Sequence, residues 1–385
     1  MLTTAIIFII VLSLLVFAHE LGHFWTARRL GVKAEEFGFG FPPRAIGFYR
    51  NRLGRWRRVK GNRSVESLEN SEDDNLRPAK TSTIYSLNWL PLGGFVKIKG
   101  ENGDGQAEPD SFAAKPIWKR LIILSAGVIM NVILAWLLFS AGYLFGLPQS
   151  TSSLGPKAQV SGASVIIAEV MPGSPAENAG LLIGDSVLSV NGQAVATEGQ
   201  MQAAIAASGA SAELYIVREG KEISLEAKPA DLGSGKPAIG VAIYSAGLVR
   251  YPFLNAIWEG AKTTGWIIKE ITVAFVNLFA QIFSGQSVSG QFAGPVGIAE
   301  ITGQAARQGW GYLIQFVALL SLNLAFINIL PFPALDGGRI LFLIIEKFKG
   351  RPVRRDLEAL IHNIGFIALI ALVLFITYKD IIKLF

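Results

Sequence analysis

Two histidines four residues apart flank a carboxylate in the run His19-Glu20-Leu21-Gly22-His23. On a helix that spacing puts both imidazoles on one face, about 40° apart around the axis. Neutral imidazoles so placed can grip one Zn2+, with Glu20 beside them as the base for water at the metal. The plainer alternative is a polar helix end at a membrane surface. A catalytic zinc also needs a third protein ligand and an open position. The 385 residues contain no cysteine, so that ligand must be His, Asp or Glu, and the one other histidine is His362. His362 opens a late apolar segment and reads better as an interfacial side chain reaching headgroups. Asp336 is the stronger candidate, within Asn328-Ile329-Leu330-Pro331-Phe332-Pro333-Ala334-Leu335-Asp336-Gly337-Gly338. Its prolines and glycines break the helix, and irregular backbone at membrane depth is tolerated where it lines a polar cavity.

These residues must be positioned by a chain that is 51% hydrophobic and 17% charged, against about a quarter charged in soluble domains. The lack of cysteine excludes disulfide scaffolds, zinc fingers, iron–sulfur clusters and thiol nucleophiles. Met1–Ala18 carries no charged side chain and lacks the basic start and small-residue cleavage site of a secretory signal, so a retained membrane helix is expected over about 2–30. Further spans are expected over about 117–147, 312–333 and 360–380, each long enough for a ~30 Å hydrocarbon core. The polar stretch 31–116 promises β-hairpin structure at 38–49 and 84–99. Residues 50–80 run from basic (Arg50, Arg52, Arg55, Arg57, Arg58, Lys60, Arg63) to acidic (Glu66, Glu69, Glu72, Asp73, Asp74), and read as a solvated loop, with contact to anionic headgroups as the alternative.

After a Gly/Ser-rich linker (149–162), alternating strand-like runs at 165–170, 186–190, 213–217 and 222–227, with helix-like stretches at 176–179 and 198–207, predict one small α+β domain over 160–243. Residues 253–283 have an apolar face but also Glu259, Lys262, Lys269 and Glu270; the charge-free run 271–283 is short for a crossing, so an interfacial or partly re-entrant helix is expected. Residues 28–120 hold 18 Lys/Arg against 11 Asp/Glu, and 147–310 hold 9 against 12. By the positive-inside rule the first loop is cytosolic, and both termini and the soluble domain are outside. The net charge of +6 thus encodes topology rather than nucleic-acid binding. All three candidate ligands then reach the same inner depth, provided that 253–283 is not a complete crossing.

Together these motifs resemble the site-2 protease family of intramembrane zinc metalloproteases, in the bacterial branch of the regulator of sigma-E protease. His19–His23 and Asn328–Gly338 match its two signatures, Ser86–Lys97 its membrane-associated β-region, and Gly294-Pro295-Val296-Gly297-Ile298 the stretch ahead of its third span. The segment from Pro172 to Gly192 is similar to a PDZ domain. The resemblance implies a four-span polytopic α-helical membrane protein with a cytosolic β-hairpin region, an extracytoplasmic PDZ domain and a membrane domain in two halves (1–147 and 290–385). It implies zinc on His19, His23 and Asp336, Glu20 as base, and substrate contact for Asn328, Asn131, Gly93 and Gly94. It further implies cleavage of single-span membrane proteins in the bacterial inner membrane during regulated intramembrane proteolysis, of anti-sigma factors or signal-peptide remnants. The PDZ segment would filter bulky substrates or bind peptides. Val128 stands where the family usually has proline, and the 50–80 insertion is long. The rival classes are a membrane scaffold displaying a PDZ domain over an inactive site, and a transporter.

Overall fold

No charge, glycine or proline interrupts Leu2–Ala18, and in the computed structural model the chain forms one continuous helix α1 (Leu2–Arg29). It stops in a Schellman turn: Gly31 adopts φ 76°, and the Val32 and Gly31 amides return to the Ala27 and Arg28 carbonyls at 2.9 and 3.2 Å. In chain order there follow β1 (Ala34–Arg50), β2 (Trp56–Val59), α2 (Val65–Glu69), β3 (Ile84–Ile98) and α3 (Ile117–Phe145). Next come β4 (Leu147–Ser150), β5 (Gln159–Val170), α4 (Pro175–Asn178), β6 (Ser186–Val190), β7 (Gln193–Ala194), α5 (Glu198–Ala207), β8 (Ala212–Arg218), β9 (Lys221–Ala227), β10 (Ala230–Asp231), β11 (Pro237–Ala238) and β12 (Val241–Arg250). The chain closes with α6 (Phe253–Phe283), α7 (Pro295–Gln308), α8 (Trp310–Ile329), α9 (Asp336–Lys349) and α10 (Arg355–Ile382). The structure describes every residue except 1, 62, 64, 70–72, 74, 80, 104–107, 152–153, 219, 233–235, 287–293 and 383–385. Glu72 and Asp74 of the acidic run, and 290–293 at the start of the expected C-terminal half, lie outside the described residues.

The chain divides into two units, 1–136 with 264–306 and 316–385, and 137–263 with 307–315. In the first, α1 and α3 run antiparallel at very close approach. A Cβ on Gly22 would lie 2.3 Å from the Ala126 carbonyl oxygen, so only glycine permits this packing. Beside them β1 and β3 fold back on themselves, each contributing two interleaved segments to one antiparallel sheet. The order is β2, Gly47–Arg50, Ile84–Ser86, Glu36–Gly38 and Phe95–Ile98. One face of the sheet is sealed by Tyr49, Val59, Ile84 and Leu68. The other meets α1 through Phe37 and Phe24. Residues 50–80, expected as a solvated loop, therefore contain β2 and α2. Two of the apolar positions between the charges, Val59 and Leu68, are each 4% exposed and anchor the segment.

The second unit is a seven-stranded sheet, ordered β4-β12-β5-β6-β8-β9 with β7 beside β6. Its core includes Val165, Ile167, Val187, Leu214 and Ile216, roofed by Met201 and Ile205 of α5. Buried Asp185 is clamped by Arg218, with Nε and Nη2 each at 2.7 Å. Every strand and helix expected between 165 and 227 is present. The sheet exceeds the expected boundaries of 160–243: β12 continues to Arg250, and β4 lies where linker was expected, because Leu147 pairs with Val249 and both are buried.

Among the described residues five helices are long and apolar enough to cross a membrane by length and composition, α1, α3, α6, α8 and α10, against four crossings expected. The difference is α6, whose charges sit early enough to leave a sufficiently apolar stretch, with mean hydropathy 1.5. Truncating the core of the second unit as Leu214→Ala should cost about 2–5 kcal/mol. Limited proteolysis should then cut within 160–250 at a lower temperature than in the parent.

Candidate metal centre

His19 and His23 sit one turn apart near the end of α1, 7% and 6% exposed, with Nε2 atoms 3.1 Å from each other. Asp336 arrives from a chain segment more than 300 residues away, its Oδ2 3.0 Å from His19 Nε2 and 3.3 Å from His23 Nε2. One ligand atom from each residue lies within 4.8 Å of the others.

The tautomer of His23 follows from its other nitrogen. Nδ1 is 2.8 Å from the Ile123 carbonyl oxygen, an acceptor only, so the proton is on Nδ1 and the Nε2 lone pair faces the cluster. His19 Nδ1 lies 3.3 Å from the Asn131 amide, whose Oδ1 is buried and without a partner. The two ends of an amide exchange by a simple flip. With Oδ1 turned to His19 Nδ1–H, the second lone pair also points inward. Asp336 Oδ2 is itself buried and receives no aligned N–H, although both imidazoles are near.

Two lone pairs and an anionic oxygen converging without hydrogen are costly unless a cation joins them. Two nitrogens and one oxygen are also a donor set that zinc accepts. Space is reserved for an ion: a Cβ on Gly127 of α3 would fall 2.4 Å from His23 Nε2 and 2.7 Å from His19 Nε2. The residues present therefore fit a zinc ion.

The backbone that delivers Asp336 is the break between α8 and α9. Gly337 and Gly338 let the chain close on itself, since Cβ atoms there would lie 2.1 and 2.3 Å from the Leu330 and Phe332 carbonyl oxygens. Asp336 opens α9, where an acid suits the helix dipole. His362 is not at the cluster. Its Nδ1 accepts the Ala334 amide at 2.9 Å, so it supports the turn that carries Asp336.

Glu20 is half-buried beside the histidines, and its Oε2 accepts the Val96 amide at 3.0 Å from the free edge of β3. Asn328 stands 3.5 Å from both ring nitrogens of His19, alongside the ring rather than firmly bonded to it. Asn131 is fully buried, with its backbone carbonyl accepting Ser321 Oγ at 2.8 Å, which speaks against the expected substrate contact and for orienting His19. Gly93 and Gly94 lie against α1 instead of at the cluster: a Cβ on Gly93 would meet Val16 at 2.9 Å, and one on Gly94 would face Phe17 at 3.7 Å. The Ile123 carbonyl and the Val96 amide are functional groups that residue types do not advertise. Gly127 is the one sequence signal that could have pointed to the cavity.

The family model for peptidase family M50 matches residues 7–57 and 76–372. The regulator of sigma-W protease RasP of Bacillus subtilis (strain 168) is 30% identical, covering 99% of this chain and 99% of its own. The zinc metalloprotease RasP of Geobacillus kaustophilus (strain HTA426) is 31% identical over 100% of this chain and 99% of its own. Among solved structures, the PDZ domain of an SdrC-like protein from Listeria monocytogenes aligns with 22% of this chain and 92% of its own at 19% identity, with a TM-score of 0.21 that carries no argument. A match along most of the sequence, joined to relatives that align from end to end, means that the chain belongs to peptidase family M50.

Proposed function

We propose that this membrane zinc metalloprotease, which acts in regulated intramembrane proteolysis, holds its zinc through His19, His23 and Asp336 and uses Glu20 to carry the proton. The observation that carries this reading is Asp336 Oδ2, a buried oxygen without an aligned donor, 3.0 and 3.3 Å from two imidazole nitrogens. Zinc bound there supplies Lewis acidity toward a peptide carbonyl and acidifies water. Glu20 has Oε2 held by the Val96 amide, which leaves Oε1 to take the proton of the attacking water and pass it to the leaving amine nitrogen. Asn131 and the Ile123 carbonyl keep the two imidazoles in the ligating tautomer. Asn328 is placed to hold substrate backbone beside His19.

Substrates are membrane proteins, and we assign single-span ones, such as anti-sigma factors or signal-peptide remnants. A membrane helix hides its amides in internal bonds and must unwind before attack. The free edge of β3 next to Glu20 offers backbone groups that would replace those bonds by strand addition. Gly93 and Gly94 shape that edge where it passes α1.

The same reading assigns four crossings, with α6 re-entrant. Thr4 of α1 meets Gly303 of α7, and His19 meets Asn328 of α8, so α1 and α8 run in the same direction. His23 meets Ile123 and His19 meets Asn131, so α3 runs opposite to both. Were α6 a complete crossing, α8 would start from the wrong side and Asp336 would be carried away from His19. The ring contact of Phe275 with Phe326, 4.5 Å between centroids, supports a helix that enters beside α8 and returns. The charge bias supports a topology with Asp336 and the first loop toward the cytosol, and the PDZ-like unit and both termini outside. That unit would then filter bulky ectodomains or hold substrate peptides. An inactive scaffold is disfavoured, since it would keep an uncompensated buried carboxylate for no return.

Glu20→Gln should retain stoichiometric zinc by elemental analysis while cleavage of a single-span reporter falls by at least about 10²-fold. Persisting turnover would remove Glu20 from the mechanism. Gly127→Val should place its side chain in the ion cavity, leaving helix content by circular dichroism unchanged while bound zinc falls well below one per chain. For topology, the chain has no native cysteine, so single substitutions label uniquely. An impermeant maleimide on intact cells should modify Lys228→Cys and spare Arg55→Cys; the opposite pattern would invert the topology.

A further inference from the structure

The face of the sheet that meets α1 is only half covered. Cross-strand pairing fixes which side chains share it: Phe37 and Phe48 are both opposite Tyr85, Arg58 is opposite Phe48, and Trp56 is opposite Arg50. At one end of this face Phe37 stacks on Phe24 of α1 at 4.7 Å between ring centroids. At the other end nothing in the described chain covers it. Trp56 is 62%, Phe48 44% and Tyr85 36% exposed, and Arg50 and Arg58 are exposed between them. The opposite face is already filled by Tyr49, Val59, Ile84 and Leu68, so these rings are not surplus core.

The open half is tied directly to the end of a membrane helix. Tyr85 accepts a hydrogen bond from Arg28 at 3.0 Å, and its ring lies 6.1 Å from Phe24 and 6.2 Å from Trp56. Rings stepping outward from the end of a spanning helix, interleaved with arginines, have the composition of the membrane–water boundary. The hairpin between Arg50 and Trp56 extends the patch with exposed Leu53 and Arg55. Residues 58–75, which include Arg58, fall outside the family match, so this part of the patch is not covered by the family model.

We infer that the open half of this face, Phe48, Trp56 and Tyr85 with Arg50 and Arg58, is a docking surface for an anionic lipid leaflet. The rings enter the headgroup layer, and the guanidinium groups pair with lipid phosphate and with the additional negative charge of acidic lipids. The charge is complementary, and the surface continues from the seat of α1. Docking would hold the β3 edge at a fixed depth beside Glu20. The inference rests on placing residues 31–116 against the cytosolic leaflet, not on catalysis.

The test uses the full-length chain in lipid nanodiscs, with Leu53→Cys as the single thiol carrying an environment-sensitive fluorophore. Discs of phosphatidylcholine alone are compared with discs containing phosphatidylglycerol. In phosphatidylglycerol the probe should shift to the blue and be quenched by headgroup-labelled nitroxide lipid; in phosphatidylcholine it should report water. Raising salt from 0.1 to 1 M, which shortens the screening length from about 10 to 3 Å, should reverse the shift without any further substitution. Neutralising Arg50→Gln and Arg58→Gln should weaken the lipid-bound state roughly five-fold per arginine. A water-like spectrum in phosphatidylglycerol would overturn the proposal and leave the patch to a protein partner. An equal shift in both lipids would overturn its electrostatic basis. The readout requires no cleavage, so failure of the zinc or Glu20 assignment would appear separately, in metal content and turnover.

Discussion

An anionic oxygen aimed at two imidazole lone pairs, inside a bundle of apolar helices, is the constraint to which the rest of the first unit answers. Without a cation between them these groups would repel one another in a medium that screens charge poorly. The fold nevertheless goes to some length to bring them together. Gly22 lets α3 approach until its backbone touches α1, Gly127 keeps the resulting space empty of side chains, and Gly337 and Gly338 allow the 330–335 turn to close over the start of α9. His362 then fastens that turn from α10 through the Ala334 amide. Helices α1, α3, α9 and α10 thus contribute a candidate ligand, a support for one, or the room it requires.

Much of this was legible from residue types. The helical spacing of His19 and His23 and the helix-breaking run before Asp336 both have local physical signatures, and the structure brings the three residues together. The strands of the second unit were readable for the same reason: alternating burial leaves a period of two in the sequence, as in β8, where Ala212, Leu214 and Ile216 are buried in turn. What escaped was carried by backbone atoms or by balance. The Ile123 carbonyl and the Val96 amide would exist whatever the side chain, so no residue type reveals them. Helix α6 is long and partly apolar yet charged in its early turns, and composition alone does not decide between crossing and lying alongside. In residues 50–80, charge density concealed two anchors, Val59 and Leu68, whose burial suffices to order a strand and a helical turn.

Asn131 illustrates a subtler difference. A polar side chain at membrane depth is usually functional. The residue is wholly enclosed, and the group its amide reaches is His19 Nδ1, a tertiary relation that residue type alone does not carry. The two units also divide their roles by chemistry. The second has a conventional apolar core and a clamped acid at Asp185, while the first gathers His19, His23, Asn131 and Asp336 at one centre.

The bond between Val96 and Glu20 has a consequence for how the sheet must be built. Successive residues of a strand turn their amides to alternate edges, so a slip of one position in the alignment of β3 would present Glu20 with a neighbour whose N–H points away. The Glu20 carboxylate is therefore indexed to strand alignment. A single residue inserted between Ile84 and Phe95, the sort of length change that surface loops absorb, would be registered at Glu20 with His19, His23 and Asp336 still in place.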